Sequence, residues 1–418
     1  MKMSIEKFVN TVKAEPLVFI AGICVLLLAV MGTSVRHVSS TMFTMLFLLS
    51  FVVIKDWRRI YLSLSVVEKI FLLSFLLYTV SGMLAVYNAD DIDRYYRLFE
   101  RYLRFTLIIP VYLLIVRKNI SVLNFLYAGA VISGPFLFVI ALIHYIQSPE
   151  TPAQGYYHHI IFGQLAMLNA GIMISLLLVK RLTRQLQMII IVSMLCAVAT
   201  AVMSMARGVW LVLPVYAFIA IYFSVKDRRI QAKYFLLIIV AFILLSIFTP
   251  LGSLMKERSE EAITEVSRFY TEDQYISSLG TRLAMWDIAI DVWGNNPVLG
   301  TGPGDFDDEI ISLQKKGEYV GMDVHNSVHN IYLQALVGSG LVGLSALIFV
   351  IIMPLRLFLD KNFIDNEGSL AGIITVLSFS VFGLSESWTL RLPAISIFLV
   401  YTVIIAAHLH IAFLKRRD

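Results

Sequence analysis

The chain has 418 residues, 58% of them hydrophobic and 15% charged, with a formal net charge of +5 and a mean hydropathy of +0.79. Soluble domains carry about 25% charged residues, so this composition excludes an ordinary soluble fold and marks an integral membrane protein. Apolar stretches able to cross ~30 Å of hydrocarbon at ~1.5 Å per residue recur along nearly the whole length, so helices rather than a β-barrel are expected.

In chain order the predicted elements are twelve membrane-spanning helices over residues 17–35, 38–54, 70–87, 103–116, 122–146, 158–179, 187–203, 208–225, 234–250, 331–354, 369–385 and 392–414. The fourth is short, and polar residues interrupt the fifth and sixth. The expected fold class is an all-α integral membrane protein with a large, partly helical outer loop between spans nine and ten. Residues 1–250 then hold the first nine helices, 251–330 the loop module and 331–418 the last three helices. The first apolar run has no small-residue cleavage site and another span follows at once, so it reads as a retained helix. Cys24 and Cys196 fall inside predicted spans, where small apolar packing is commoner than a disulfide.

With the N terminus inside, twelve spans put seven segments on the cytoplasmic side, and these carry 21 of the 34 Lys and Arg residues. The short outer loops hold at most one each outside two places, Arg94 to Arg104 and residues 251–330, so the positive-inside rule supports cytoplasmic termini. Acidic residues divide the other way, 20 of 29 outside. That outer excess of acid argues against nucleic acid as a partner, and topology with anionic lipid accounts for the basic inner rim.

Several groups near the outer edge have the right chemistry for a site, and each also has a structural explanation. Arg207, in "SMARGVW", sits in a very short turn; it reads as a phosphate ligand or as an arginine snorkelling to headgroups. In "DIDRYYRLFERYLRF", Arg94, Arg97, Arg101 and Arg104 fall within roughly 80° of one helical face. As a set they favour a phosphate-rich ligand; the alternative is an amphipathic helix bound to lipid phosphates. Arg282, in "GTRLAMW", is a ligand candidate or a surface ion-pair residue. The loop "NNPVLGTGPGDF" is turn-rich but no P-loop, since no Lys-Ser/Thr follows. "DFDD", residues 305–308, looks like a metal-binding motif of nucleotide-sugar enzymes, whose substrates are not expected outside the membrane.

"HNSVHN" sets His325 and His329 four residues apart, about 40° around a helix. Zinc ligands often have this spacing, but only Asp323 offers a nearby third ligand and catalytic zinc usually has three, so no metal is expected. An imidazole with an ordinary pKa of about 6.5 is largely neutral at pH 7 and can take a proton from a hydroxyl. His329 equally suits a polar cap to the tenth span.

The runs "HNIYLQALVGSGLVGL" from His329, "RLAMWDIAIDVWGNNPVLGTGPGDF" from Arg282, and "MARGVW" resemble, in pattern and order, the O-antigen ligase and polymerase superfamily. The late position of the large outer loop matches as well. The resemblance implies a GT-C-type, metal-independent, inverting glycosyltransferase without cofactor. Its donor would be an undecaprenyl-diphosphate-linked glycan, and its site would face the periplasm from the inner membrane of a Gram-negative bacterium. For a ligase the acceptor is lipid A-core and the product lipopolysaccharide; an O-antigen polymerase, a protein O-oligosaccharyltransferase and a lipid-linked-glycan transporter are the alternatives. Carried over by position, His329 matches the proposed base, and Arg282 and Arg207 match the two arginines that hold the donor diphosphate. Arg94, Arg97, Arg101, Arg104, Arg391, His325 and Asn330 are further candidates for contacts to phosphate or acceptor. Membrane lipids complete the expected partners.

Overall fold

The computed structural model describes residues 16–226, 260, 264–269, 271, 277–360 and 367–416. The expected ninth span, 234–250, lies outside the described residues. Helix α1 covers Pro16–Met31, and α2, Val38–Ser50, continues through a 3-10 turn, Phe51–Asp56, into α3, Trp57–Ser63. Then come α4 (Val66–Leu84), α5 (Ile92–Leu107), α6 (Ile109–Lys118), α7 (Leu123–Gln147), α8 (His159–Val179) and α9 (Arg184–Met203). A 3-10 turn, Arg207–Val212, leads into α10, Leu213–Lys226. The remaining helices are α11 (Ser278–Asn295), α12 (Phe306–Lys315), α13 (Ile331–Phe358), α14 (Glu367–Phe382) and α15 (Leu392–Leu414).

Among the described residues seven helical stretches are long and apolar enough to cross a membrane, and α1, α14 and residues 207–222 are apolar but shorter. The chain is thus a multi-pass membrane protein whose regular structure, among the described residues, is all helical. Residues 103–116, expected as one span, are not a single helix. Their first part ends α5, which begins at Ile92, and their second part is α6. Pro110 explains the division, because it has no N–H to bond the Thr106 carbonyl and sits in the first turn of α6, where that donor is not needed.

Helices apolar all round belong inside a bundle. In α8 and α15, 94% and 78% of the spanning window is buried, against 33% for α9, so α8 and α15 form the centre. Helix α8 packs on α9 and α14, and α15 on α14 and α6. Within that apolar centre Asn169 of α8 donates to the carbonyl of Ala29 and to Ser133 Oγ, while Tyr401 of α15 donates to its Oδ1. Such interhelical bonds contribute about 0.6–2 kcal/mol each and fix the register of four helices.

Helix α13 is interrupted at Gly340, whose φ of 64° is left-handed. A break inside a span leaves backbone groups that lipid cannot satisfy; here the loop after α11 satisfies them. Leu341 N donates to Pro297 O (2.9 Å), Val342 N to Val298 O (3.2 Å) and Thr301 N to Val337 O (2.8 Å). The approach is so close that a Cβ on Gly340 would run into the Val298 carbonyl, and one on Gly300 into that of Val337. Gly340→Ala is therefore expected to destabilise the protein by about 2 kcal/mol or more through left-handed strain plus the clash. An unchanged thermal unfolding curve in detergent would show that the loop does not depend on this glycine.

Candidate active site

The loops at one end of the bundle interlock. Tyr156 N donates to Ser34 O, Ala153 N to Met203 O and Ile331 N to Gly383 O, while Asn88 Nδ2 donates to Gly300 O at 2.7 Å. A cavity of about 500 Å³ has walls that include Arg207, Arg282, His325 and His329, together with His158, His159 and Asp323.

His329 occupies the left-handed region, φ 52°, just before α13. Asn330 follows as the cap of that helix, its side chain accepting from Tyr332 N and Leu333 N. It is nearly buried and its own N–H goes to Ser387 Oγ, so Asn330 builds the turn that presents His329. The ring is held by Glu386: Nδ1 lies 2.9 Å from Oε2, and the other carboxylate oxygen accepts from Arg391 Nε at 3.1 Å. Glu386 is 1% exposed in its side chain. Burial raises its pKa, but the hydrogen bond from His329 and the charge of Arg391 outweigh that and hold it at about 2. A carboxylate can only accept, so His329 donates from Nδ1 and, when neutral, carries its lone pair on Nε2.

Arg282 lies in the second turn of α11, which Ser277 caps by accepting from Gly280 N. One turn on, Trp286 Nε1 donates to Val328 O at 3.1 Å, registering this helix against the residue before His329. Burial lowers the pKa of Arg282; the negative charge of Glu386 opposes that and the positive charge of Arg207 adds to it. All three groups thus sit within electrostatic reach of one another. Arg207 starts the 3-10 turn after Met205, itself left-handed with φ 51°. His159 steadies this turn, its Nδ1 2.7 Å from Ser204 O.

His325 shares the cavity, its ring centroid 6.0 Å from that of His329. Burial lowers its pKa first and the charge of His329 next, with Asp323 opposing. Among the described residues no cluster of three His, Cys, Asp or Glu is arranged to hold a metal.

The four stripe arginines separate. Arg104 is buried and donates to Ser396, Ser40 and Glu100, with its guanidinium 5.2 Å from the Phe43 ring. Arg94 donates to Asp307, Asp308 and the Gly304 carbonyl, which is where two of the "DFDD" carboxylates go; Asp305 accepts from Asp90 N instead. Arg97 and Arg101 line a second cavity of about 290 Å³ together with Arg94 and Arg391.

Three groups in or behind the cavity have little signal in the sequence. Glu386 is a lone acid in "LSESW", with no local signal for a partner 57 residues away. His158 and His159 open α8, and "YYHHII" at the head of an apolar run was the available sign.

Residues 192–348 match the family model for O-antigen ligase. Over this stretch the chain is similar to the O-antigen ligase family. The matched segment begins within α9, contains Arg207, Arg282 and His329, and ends in α13 beyond the break at Gly340. A protein of Haemophilus influenzae (strain ATCC 51907 / DSM 11121 / KW20 / Rd), uncharacterized, is 28% identical over 341 residues, covering 78% of this chain and 83% of the relative.

Proposed function

We propose that this protein transfers a glycan from a polyprenyl-diphosphate carrier to a sugar hydroxyl of a lipid acceptor. The convergence of Arg207, Arg282 and His329 on one cavity carries this reading, and the carboxylate behind His329 supports it. In its specific form the reaction is that of an O-antigen ligase: undecaprenyl diphosphate is the carrier and lipid A-core the acceptor. The protein would sit in the inner membrane with both termini cytoplasmic and the cavity open to the periplasm.

The chemistry suits the residues. Nε2 of His329 takes the proton of the acceptor hydroxyl as its oxygen attacks the anomeric carbon. The bond from that carbon to the diphosphate oxygen breaks on the opposite face, so configuration inverts. Negative charge grows on the departing diphosphate, and Arg207 and Arg282 match it with fixed bidentate donors. Burial of Arg282 makes its charge felt more strongly than it would be in open solution. Glu386 keeps the imidazole in the Nδ1–H form and stabilises the imidazolium after proton transfer.

Purified protein in nanodiscs, given undecaprenyl-diphosphate-linked glycan, should extend lipid A-core and release free carrier diphosphate. Extension of a second lipid-linked repeat instead would make the protein a polymerase, and modification of a pilin-like acceptor an oligosaccharyltransferase. Carrier movement across the bilayer with no transfer to any acceptor would identify a transporter. Because guanidinium groups supply the positive charge, full transfer activity is expected in excess EDTA. Loss of activity with EDTA, restored by a divalent ion, would overturn the arginine mechanism.

A further inference from the structure

We propose that the second cavity is a seat for a phosphate monoester on the acceptor lipid, separate from the site of the donor diphosphate. Four guanidiniums, of Arg94, Arg97, Arg101 and Arg391, line it against one carboxylate, Asp307. That carboxylate is already engaged by Arg94 and Arg391 is paired with Glu386, so Arg97 and Arg101 carry the cavity's remaining positive charge. Arg101 Nε is buried without a hydrogen-bond partner. Burial, and after it the proximity of Arg391, lowers the Arg101 pKa to about 10. A bound anion would relieve both the orphaned donor and the crowding of like charges. Asn326 adds a side-chain amide to the wall. The planar forks of several arginines converging from α5 and from the residue before α15 match the three free oxygens of a phosphate monoester.

Position argues for the acceptor. His325 lines the first cavity and its neighbour Asn326 the second, so this stretch of chain is the partition between them. Arg391 faces the second cavity while its Nε holds the Glu386 carboxylate that holds His329. A phosphate seated there lies beside the base but away from Arg207 and Arg282, and would bring a sugar hydroxyl of the same lipid toward Nε2. The assignment to the acceptor rests on the glycosyl-transfer reading; the phosphate seat itself does not.

The test is direct binding to the full-length protein in nanodiscs of neutral lipid. The probes are an acylated disaccharide bearing a sugar phosphate monoester and the same lipid after phosphatase treatment. We expect the phosphorylated lipid to bind at least tenfold tighter, and Arg97→Gln, at an exposed position, or Arg97→Gln with Arg101→Gln, to erase most of that difference. Binding of polyprenyl diphosphate should be unchanged in both variants, and in transfer assays the acceptor KM should rise while kcat holds. Equal affinity for the two lipids, or loss of donor rather than acceptor binding, would overturn the proposal. So would equal competition by phosphatidylglycerol or inorganic phosphate, because the seat would then take any headgroup or free anion. Arginine-dependent binding of the phosphorylated lipid without transfer would leave the seat standing and remove the enzyme reading instead.

Discussion

Replacing His329 is expected to lower glycosyl transfer by about 10²–10⁴-fold, the usual contribution of a positioned general base. Asparagine is a more informative substitute than alanine. His329 is left-handed, φ 52°, a conformation that asparagine adopts more readily than most residues, so His329→Asn keeps the turn while removing the base. Its melting temperature should stay near that of the wild type, with kcat reduced and donor binding intact. His325→Ala, by contrast, should retain most activity, because among the described residues no carboxylate braces His325 as Glu386 braces His329. If His329→Asn kept more than a tenth of the activity, the proton would have to go elsewhere. His159, whose Nδ1 is likewise fixed by an acceptor, would be the next residue to test.

Glu386→Gln should cost about 10–100-fold in kcat with little change in KM, on the scale known for carboxylates behind metal-bound histidines, where the partner likewise fixes tautomer and basicity. The amide oxygen can still accept from Nδ1, so the ring stays oriented, but the negative charge that stabilises an imidazolium is gone. Glu386→Ala removes orientation as well and should lower both activity and stability. Breaking a fully buried pair costs about 3–5 kcal/mol; Arg391 is 35% exposed in its side chain and can turn to water, so a smaller loss is expected here. The linkage has a defined sign. The folded-state pKa of Glu386, about 2, lies below its ordinary value of 4.5, so the stabilisation is complete above about pH 4.5 and is lost as pH falls toward 2. Wild type and Glu386→Gln should therefore converge in melting temperature on acidification. Parallel curves down to pH 3 would mean that the carboxylate contributes no net stability.

What could be read from the sequence follows the range of the interactions involved. Apolar length is a local property, so most of the helices were legible. The division between α5 and α6 was not, because hydropathy alone passes smoothly through Ile108 and Pro110. His329, Arg282 and Arg207 each sit in short runs with a family pattern, and the structure brings all three to one cavity. Glu386 has no such pattern; its importance depends on a fold that sets the start of α15 against the start of α13. The same holds for the arginine stripe, which is one face of a helix in projection. In three dimensions Arg104 turns into the bundle, Arg94 ties down the "DFDD" segment, and Arg97 and Arg101 meet Arg391. The glycines of "LVGSGLVGL" read as part of an uninterrupted span, because the loop that completes the break at Gly340 lies about forty residues earlier.

That lap of loop over broken helix has a mechanical consequence. Residues 297–301 are pinned to α13 by backbone bonds on both sides of Gly340, and the indole of Trp286 is pinned to Val328. Helix α11 is thereby yoked to α13 and to the turn before it at two points, both beyond Arg282 in the chain and one on either side of His329. The base and this guanidinium share one degree of freedom, whereas Arg207 rides on a separate turn anchored to α8. Any motion that admits a bulky lipid-linked glycan can then widen the gap between Arg207 and the yoked pair, without disturbing the distance between the group that takes the proton and the first group that meets the leaving charge.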